Sequence, residues 1–137
     1  MTESRQSLGV LEYRSIATGM KAADDVLKTA DVDLVFAKPV CPGKYVVLIR
    51  GDLSAVNAAI ERGISDEHSA ILVDHCILGN PHPAIFEGLN CSGDVEGIEA
   101  VGVMETYSVA SIFEVADDVV KTTPVSILEI RIAKGIS

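Results

Sequence analysis

The chain predicts an α+β fold: a two-layer sandwich in which an antiparallel sheet carries its helices on one face, built once in full and then begun again. Two observations carry this. Short apolar segments and amphipathic segments follow one another as β-α-β-β-α-β, an order that returns both helices to one face of a sheet. The opening of that pattern then recurs. Leu8-Gly-Val-Leu-Glu12 returns as Val101-Gly-Val-Met-Glu105, and Ala23-Asp-Asp-Val-Leu-Lys-Thr29 as Ala116-Asp-Asp-Val-Val-Lys-Thr122. Gly9 maps onto Gly102, Glu12 onto Glu105 and Lys28 onto Lys121, a constant offset of 93 residues held from Leu8 to about Val40. A period this long marks a duplicated domain rather than a solenoid of short repeats. Two copies of one fold in a chain usually keep the packing surface of an ancestral homo-oligomer. The expected organisation is a first domain over 7–89, a linker over 90–99 and the start of a second domain over 100–137.

Leu8 to Arg14 is short, partly alternating and followed by a helix-start signal, which predicts a strand. Ser15 is the expected N-cap of a helix to about Ala30, with Ile16, Met20, Ala23, Leu27 and Ala30 along one face and Lys28 in the last turn, where a cation complements the helix dipole. Val32 to Val40 is a second strand, Cys41-Pro-Gly43 a turn, and Lys44 to Arg50 a third strand. Asp52 opens a second helix whose expected buried face is Leu53, Val56, Ile60 and Ile64. Ile71 to Leu78 is a fourth strand, ended by Gly79-Asn-Pro-His-Pro83, and 84–89 a helical turn. The second copy supplies a strand at 101–106, a helix at 108–123 and a strand at 125–133. It stops before any third strand, second helix or fourth strand. The expectation is a chain cut short at Ser137, with completion by a neighbouring chain as the alternative, since an incomplete sheet leaves unpaired edges.

Composition narrows the function. The formal charge is −9 with no Lys/Arg cluster to offset it, which argues against nucleic acid as a partner. No apolar run approaches the roughly 18 residues of a membrane span, and the polar N-terminus lacks a signal peptide, so a soluble, cytoplasmic protein is expected. Three cysteines without CxxC spacing indicate neither a disulfide framework nor a self-contained zinc site. No Ser-His-Asp or Cys-His constellation is legible, so no catalysis is predicted. The pairs Asp24-Asp25 and Asp117-Asp118 diverge around a helix and read as solvated or intersubunit faces. Glu12 and Glu105 read as structural hydrogen-bonding groups, and Cys76 as a packed core thiol. Cys91 is expected to face solvent. His75 and Cys76 alternate along a strand and cannot chelate together.

The string Leu8-Gly-Val-Leu-Glu12, then Ala22-Ala-Asp-Asp-Val-Leu-Lys28, Val32-Asp-Leu34, Ile49-Arg-Gly-Asp52 and Ala55-Val-Asn-Ala-Ala59, resembles the bacterial microcompartment shell-protein domain. With two copies, Val40-Cys-Pro-Gly-Lys44 in the first pore loop and Asn80-Pro-His-Pro83 after the last strand, the chain is similar to the tandem-domain, PduT-like group. Single-domain members carry Arg-Pro-His where this chain has Asn80-Pro81-His82. The resemblance implies a homotrimer that mimics a hexamer and tiles with other shell proteins. It places Lys28, Lys121, Asn80 and His82 at tile edges, and a pore between the loops Cys41-Pro42-Gly43 and Lys134-Gly135. It also implies a 4Fe–4S cluster on the threefold axis with Cys41 of each chain as metal ligand, for electron transfer or cluster transport across the shell. Two other readings stay open: a shell protein whose pore passes small polar metabolites, and a trimeric metabolite-sensing regulatory domain.

Overall fold

The computed structural model describes residues 6–92 and 96–132. Strands β1 (Ser7–Tyr13), β2 (Asp33–Val40), β3 (Lys44–Gly51) and β4 (Leu72–Leu78) form one antiparallel sheet in the order β2-β3-β1-β4. On the central strand β1, Leu8 stands opposite Arg50 of β3 and Leu78 of β4. Helices α1 (Ile16–Thr29) and α2 (Leu53–Gly63) cross between strands. Short helices α3 (Asp66–Ser69) and α4 (Ala84–Leu89) flank β4, and α5 (Val109–Thr122) belongs to the second copy.

Period-2 alternation splits the core in two. Leu11, Tyr13, Tyr45, Val47 and Ile49 point to α1 and α2 and pack with Ala22, Ala23, Val26, Val56, Ala59 and Ile60. This is the two-layer sandwich of the first unit. The neighbouring positions Leu8, Val10, Val46, Leu48, Cys76 and Leu78 point the other way, and there Val109, Ala110, Phe113 and Ala116 of α5 cover them with Ile85 of α4. The second unit therefore contributes a third layer. Every residue of β1 is buried, as expected of a strand covered on both faces. Close approach on the α1 side depends on Gly19, where a Cβ would stand 2.9 Å from Tyr45 Cβ.

Four expectations change. The buried stripe of α1 is Gly19, Ala22, Ala23 and Val26, while Ile16 and Met20 are exposed at 38% and 51%. On α2 the stripe is Val56, Ala59, Ile60 and Gly63, leaving Leu53 exposed and Ile64 half-buried. Among the described residues, 101–106 and 125–132 join no sheet, because no strand stands beside them to complete a ladder; Ala133 lies outside the described residues. Residues 127–132 instead lean on α4, with Ile130 and Ile132 buried and the Ile130 N–H donating to the Gly88 carbonyl at 3.0 Å. Finally, α3 forms where no element was expected.

Candidate functional site

The β2–β3 turn presents Cys41, Pro42 and Gly43 to solvent. Gly43 adopts φ +69°, a left-handed conformation that glycine takes without a Cβ clash, and this lets the hairpin reverse in so few residues. The Cys41–Pro42 peptide is cis. The Cys41 thiol is free and exposed. Its partners in the expected pore, Lys134 and Gly135, lie outside the described residues. Of the other thiols, Cys91 is exposed, whereas Cys76 is buried and its pKa is pushed up to about 12, chiefly by burial and secondarily by Glu114 and Asp74.

Just behind that turn, Lys44 leads into the second feature, a polar seam between the two units. Glu12 is fully buried on β1 and holds Lys44 Nζ at 2.6 Å through Oε1. Its Oε2 accepts from the backbone N–H of Val109 at 2.7 Å and of Ala110 at 3.4 Å, capping the first turn of α5. Those N–H groups have no acceptor within the helix, and the helix dipole favours a negative charge there. Beside it, Asp74 accepts from the hydroxyls of Ser108 and Ser111. Burial works to raise the Asp74 carboxyl, but these bonds and the His75 N–H outweigh it and hold the group below its ordinary value.

At the far end of α5, Asp117 is buried and accepts from the His82 N–H at 2.7 Å. Lys121 Nζ donates to the Asn80 carbonyl at 2.7 Å and to Asp117. Lys121, Asn80 and His82, expected at tile edges, thus meet one another at the junction of two units in one chain. Lys28, their fourth expected companion, is exposed and pairs with Asp24 at 2.6 Å.

Sequence reasoning missed a third cluster. Asp25 Oδ2 takes Lys21 at 3.3 Å, Arg62 at 3.2 Å and His68 Nε2 at 3.0 Å, and Glu67 takes Lys21 at 2.8 Å and Arg62 at 2.7 Å. Asp25 is therefore a clasp between α1, α2 and α3 rather than a solvated face. Burial raises the Asp25 carboxyl, and hydrogen bonds from Lys21 and His68 with the Arg62 charge bring it below its ordinary value. The same lysine and arginine hold Glu67 at about 2. The signal available in sequence was a lone His68 directly after two carboxylates. Asp25, Glu67 and His68 are the one trio among the described residues with metal-ligand spacing, but Lys21 and Arg62 already supply its positive charge. Cys41 joins no such group among the described residues.

The geometry describes a tandem α+β protein organised around a unit-to-unit junction and an exposed cysteine turn. The family model "BMC domain" matches residues 7–81 and 100–137, and the chain belongs to that family, a homologue of bacterial microcompartment shell proteins. It is 40% identical to the bacterial microcompartment shell protein PduT of Citrobacter freundii over 96% of this chain and 71% of that one. It is 37% identical to the carboxysome shell protein CsoS1B of Hydrogenovibrio crunogenus over 61% of this chain and 89% of the relative. Among solved structures it is similar to a microcompartment protein from Desulfitobacterium hafniense, with a TM-score of 0.81 and 44% identity, covering 96% of this chain and 72% of that one. No helix among the described residues is long and apolar enough to cross a membrane.

Proposed function

We propose that this protein is a microcompartment shell tile: a trimer of tandem units arranged as a pseudo-hexamer, with Cys41 of three chains meeting at the axis to bind a 4Fe–4S cluster. The observation that carries the trimer is the seating of α5 on the first unit's sheet. At the 93-residue offset, Val109, Phe113 and Asp117 of α5 correspond to Ile16, Met20 and Asp24 of α1. The α5 residues are buried and the α1 residues exposed. Placing α1 of each chain against the second unit of the next chain gives every helix an equivalent seat, and a ring of three chains satisfies this. Lateral contacts with other shell proteins then extend the tile.

The cluster reading rests on the turn. An exposed thiol on a hairpin held by Pro42 and Gly43, with Lys44 committed to Glu12, is free to act as a ligand. Three thiolates hold three irons of a cubane, leaving the fourth to a non-protein ligand, and the bound cluster would supply one-electron redox chemistry at the shell. Cys41→Ser should abolish iron and acid-labile sulfide after anaerobic reconstitution while leaving the trimer intact. Iron retained at the parental level in Cys41→Ser would remove the cluster from this turn and leave the opening as a metabolite channel.

A further inference from the structure

We infer that Glu105 is the carboxylate that joins one chain to the next: it accepts hydrogen bonds from the Ile16 and Ala17 N–H groups of a second copy, capping that copy's α1. The inference rests on the trimeric reading above and assigns a residue to its intermolecular junction.

The pattern is drawn within this chain. Glu12 caps α5 at Val109 and Ala110, and these three residues correspond by register to Glu105, Ile16 and Ala17. The helix starts also match. Ser108 and Ser15 are both extended N-caps, with φ −116° and −137°. They differ in how their donors are satisfied. The Ser108 side chain accepts from the Ser111 N–H, whereas Ser15 makes no side-chain cap bond. Among the described residues no carboxylate reaches the first turn of α1. That leaves the positive end of a fourteen-residue helix uncapped in the single chain. Glu105 in turn is exposed and has no hydrogen-bond or ion-pair partner among the described residues. An acceptor without donors and donors without an acceptor occupy the two halves of the missing contact.

A second copy is the occupant because the exposed helix face is matched, not the cap alone. Ile16 and Met20 repeat the apolar pair Val109 and Phe113, Thr18 repeats the hydroxyl of Ser111, and Asp24–Lys28 repeats the i,i+4 pair Asp117–Lys121. That set of side chains is the one this chain's own sheet already accepts.

The test uses the protein and its Glu105→Ala and Glu105→Gln variants, in sedimentation velocity over a dilution series with amide hydrogen exchange. The alanine variant is expected to dissociate at about tenfold higher concentration per junction, equivalent to ~1.4 kcal/mol. The glutamine variant, which keeps an acceptor oxygen, should fall between. Ile16 and Ala17 should be protected in the parent assembly and lose protection in Glu105→Ala, with Val109 protection unchanged. A parent trimer whose variants dissociate at the parental concentration, with Ile16 and Ala17 still protected, would overturn the role of Glu105 and leave the trimer standing. A parent that stays monomeric throughout would overturn both. A variant whose isolated chain no longer melts cooperatively would place Glu105 in the unit's own fold and equally overturn the inference.

Discussion

Glu12 Oε2 lies 2.7 Å from the backbone nitrogen of Val109, 97 residues away and in the other unit. The same carboxylate holds Lys44 beside the cysteine turn. Glu12→Ala would leave that ammonium unpaired in a largely buried position and uncap α5, which should cost about 3 kcal/mol. Glu12→Gln should cost less because an acceptor remains. Urea denaturation monitored at α5 checks both; an unchanged midpoint in Glu12→Ala would show the seam to be energetically idle.

Phe113 and Met20 occupy one register position in the two helices but differ in burial. Phe113→Ala should destabilise the single chain by about 3–5 kcal/mol through the lost transfer energy and the cavity left between α5 and the sheet. Met20→Ala in the dissociated chain should stay within about 0.5 kcal/mol of the parent. The two melts, compared at high dilution, report directly on which helix face the chain buries by itself.

The thiols should separate kinetically. A thiolate-directed reagent at pH 8 is expected to modify Cys41 and Cys91 rapidly and Cys76 only after unfolding, since Cys76 is buried with a pKa near 12. Mass spectrometry of the labelled chain assigns each site. Cys76→Ser should destabilise by about 1–3 kcal/mol, because a hydroxyl there loses water without gaining a partner.

Acid should release the clasp around Asp25. The folded-state values of Asp25 and Glu67 both lie below their ordinary ones, so their stabilisation is present above the unfolded carboxylate range and is lost as pH falls through the folded values. For Glu67 that window runs from 4.5 down to about 2. Urea midpoints measured from pH 6 to pH 2 should decline, and Glu67→Gln should flatten the decline. An identical slope in the two proteins would assign acid sensitivity to other carboxylates.

Element order and the turn at Cys41-Pro42-Gly43 were legible because they rest on local signals: periodicity, caps and glycine–proline punctuation. The face of α1 was not. Spacing alone favoured Ile16, Met20, Ala23, Leu27 and Ala30, of which Ala23, Leu27 and Ala30 do pack on the core, but the buried stripe runs through Gly19, Ala22, Ala23 and Val26. In α5 the residues equivalent to Ile16, Met20 and Ala23, which are Val109, Phe113 and Ala116, pack on the other unit's sheet, whereas in α1 Ala23 serves the unit's own core and Ile16 and Met20 stay exposed. The expected strands at 101–106 and 125–133 had the right composition, yet a strand needs a neighbour and the described residues offer none. The Asp25–Arg62–Glu67–His68 clasp joins three elements through side chains alone, and no short-range pattern announces it. Lys121, Asn80 and His82 were expected at tile edges; the structure joins them through Asp117 within one chain, a meeting that no short-range pattern announces.

Because α5 reaches its seat from the same chain, that junction forms as part of folding and is insensitive to how much protein is present. A tethered partner acts at an effective concentration on the order of millimolar, whereas separate chains must work against dilution. The two kinds of unit are consequently produced in a fixed one-to-one ratio and enter any larger array already joined and already oriented. In the ring of three proposed above, first and second units would alternate, so a chemical difference between them, such as a cysteine turn on one, would recur at every second position by covalent connectivity rather than by selective affinity.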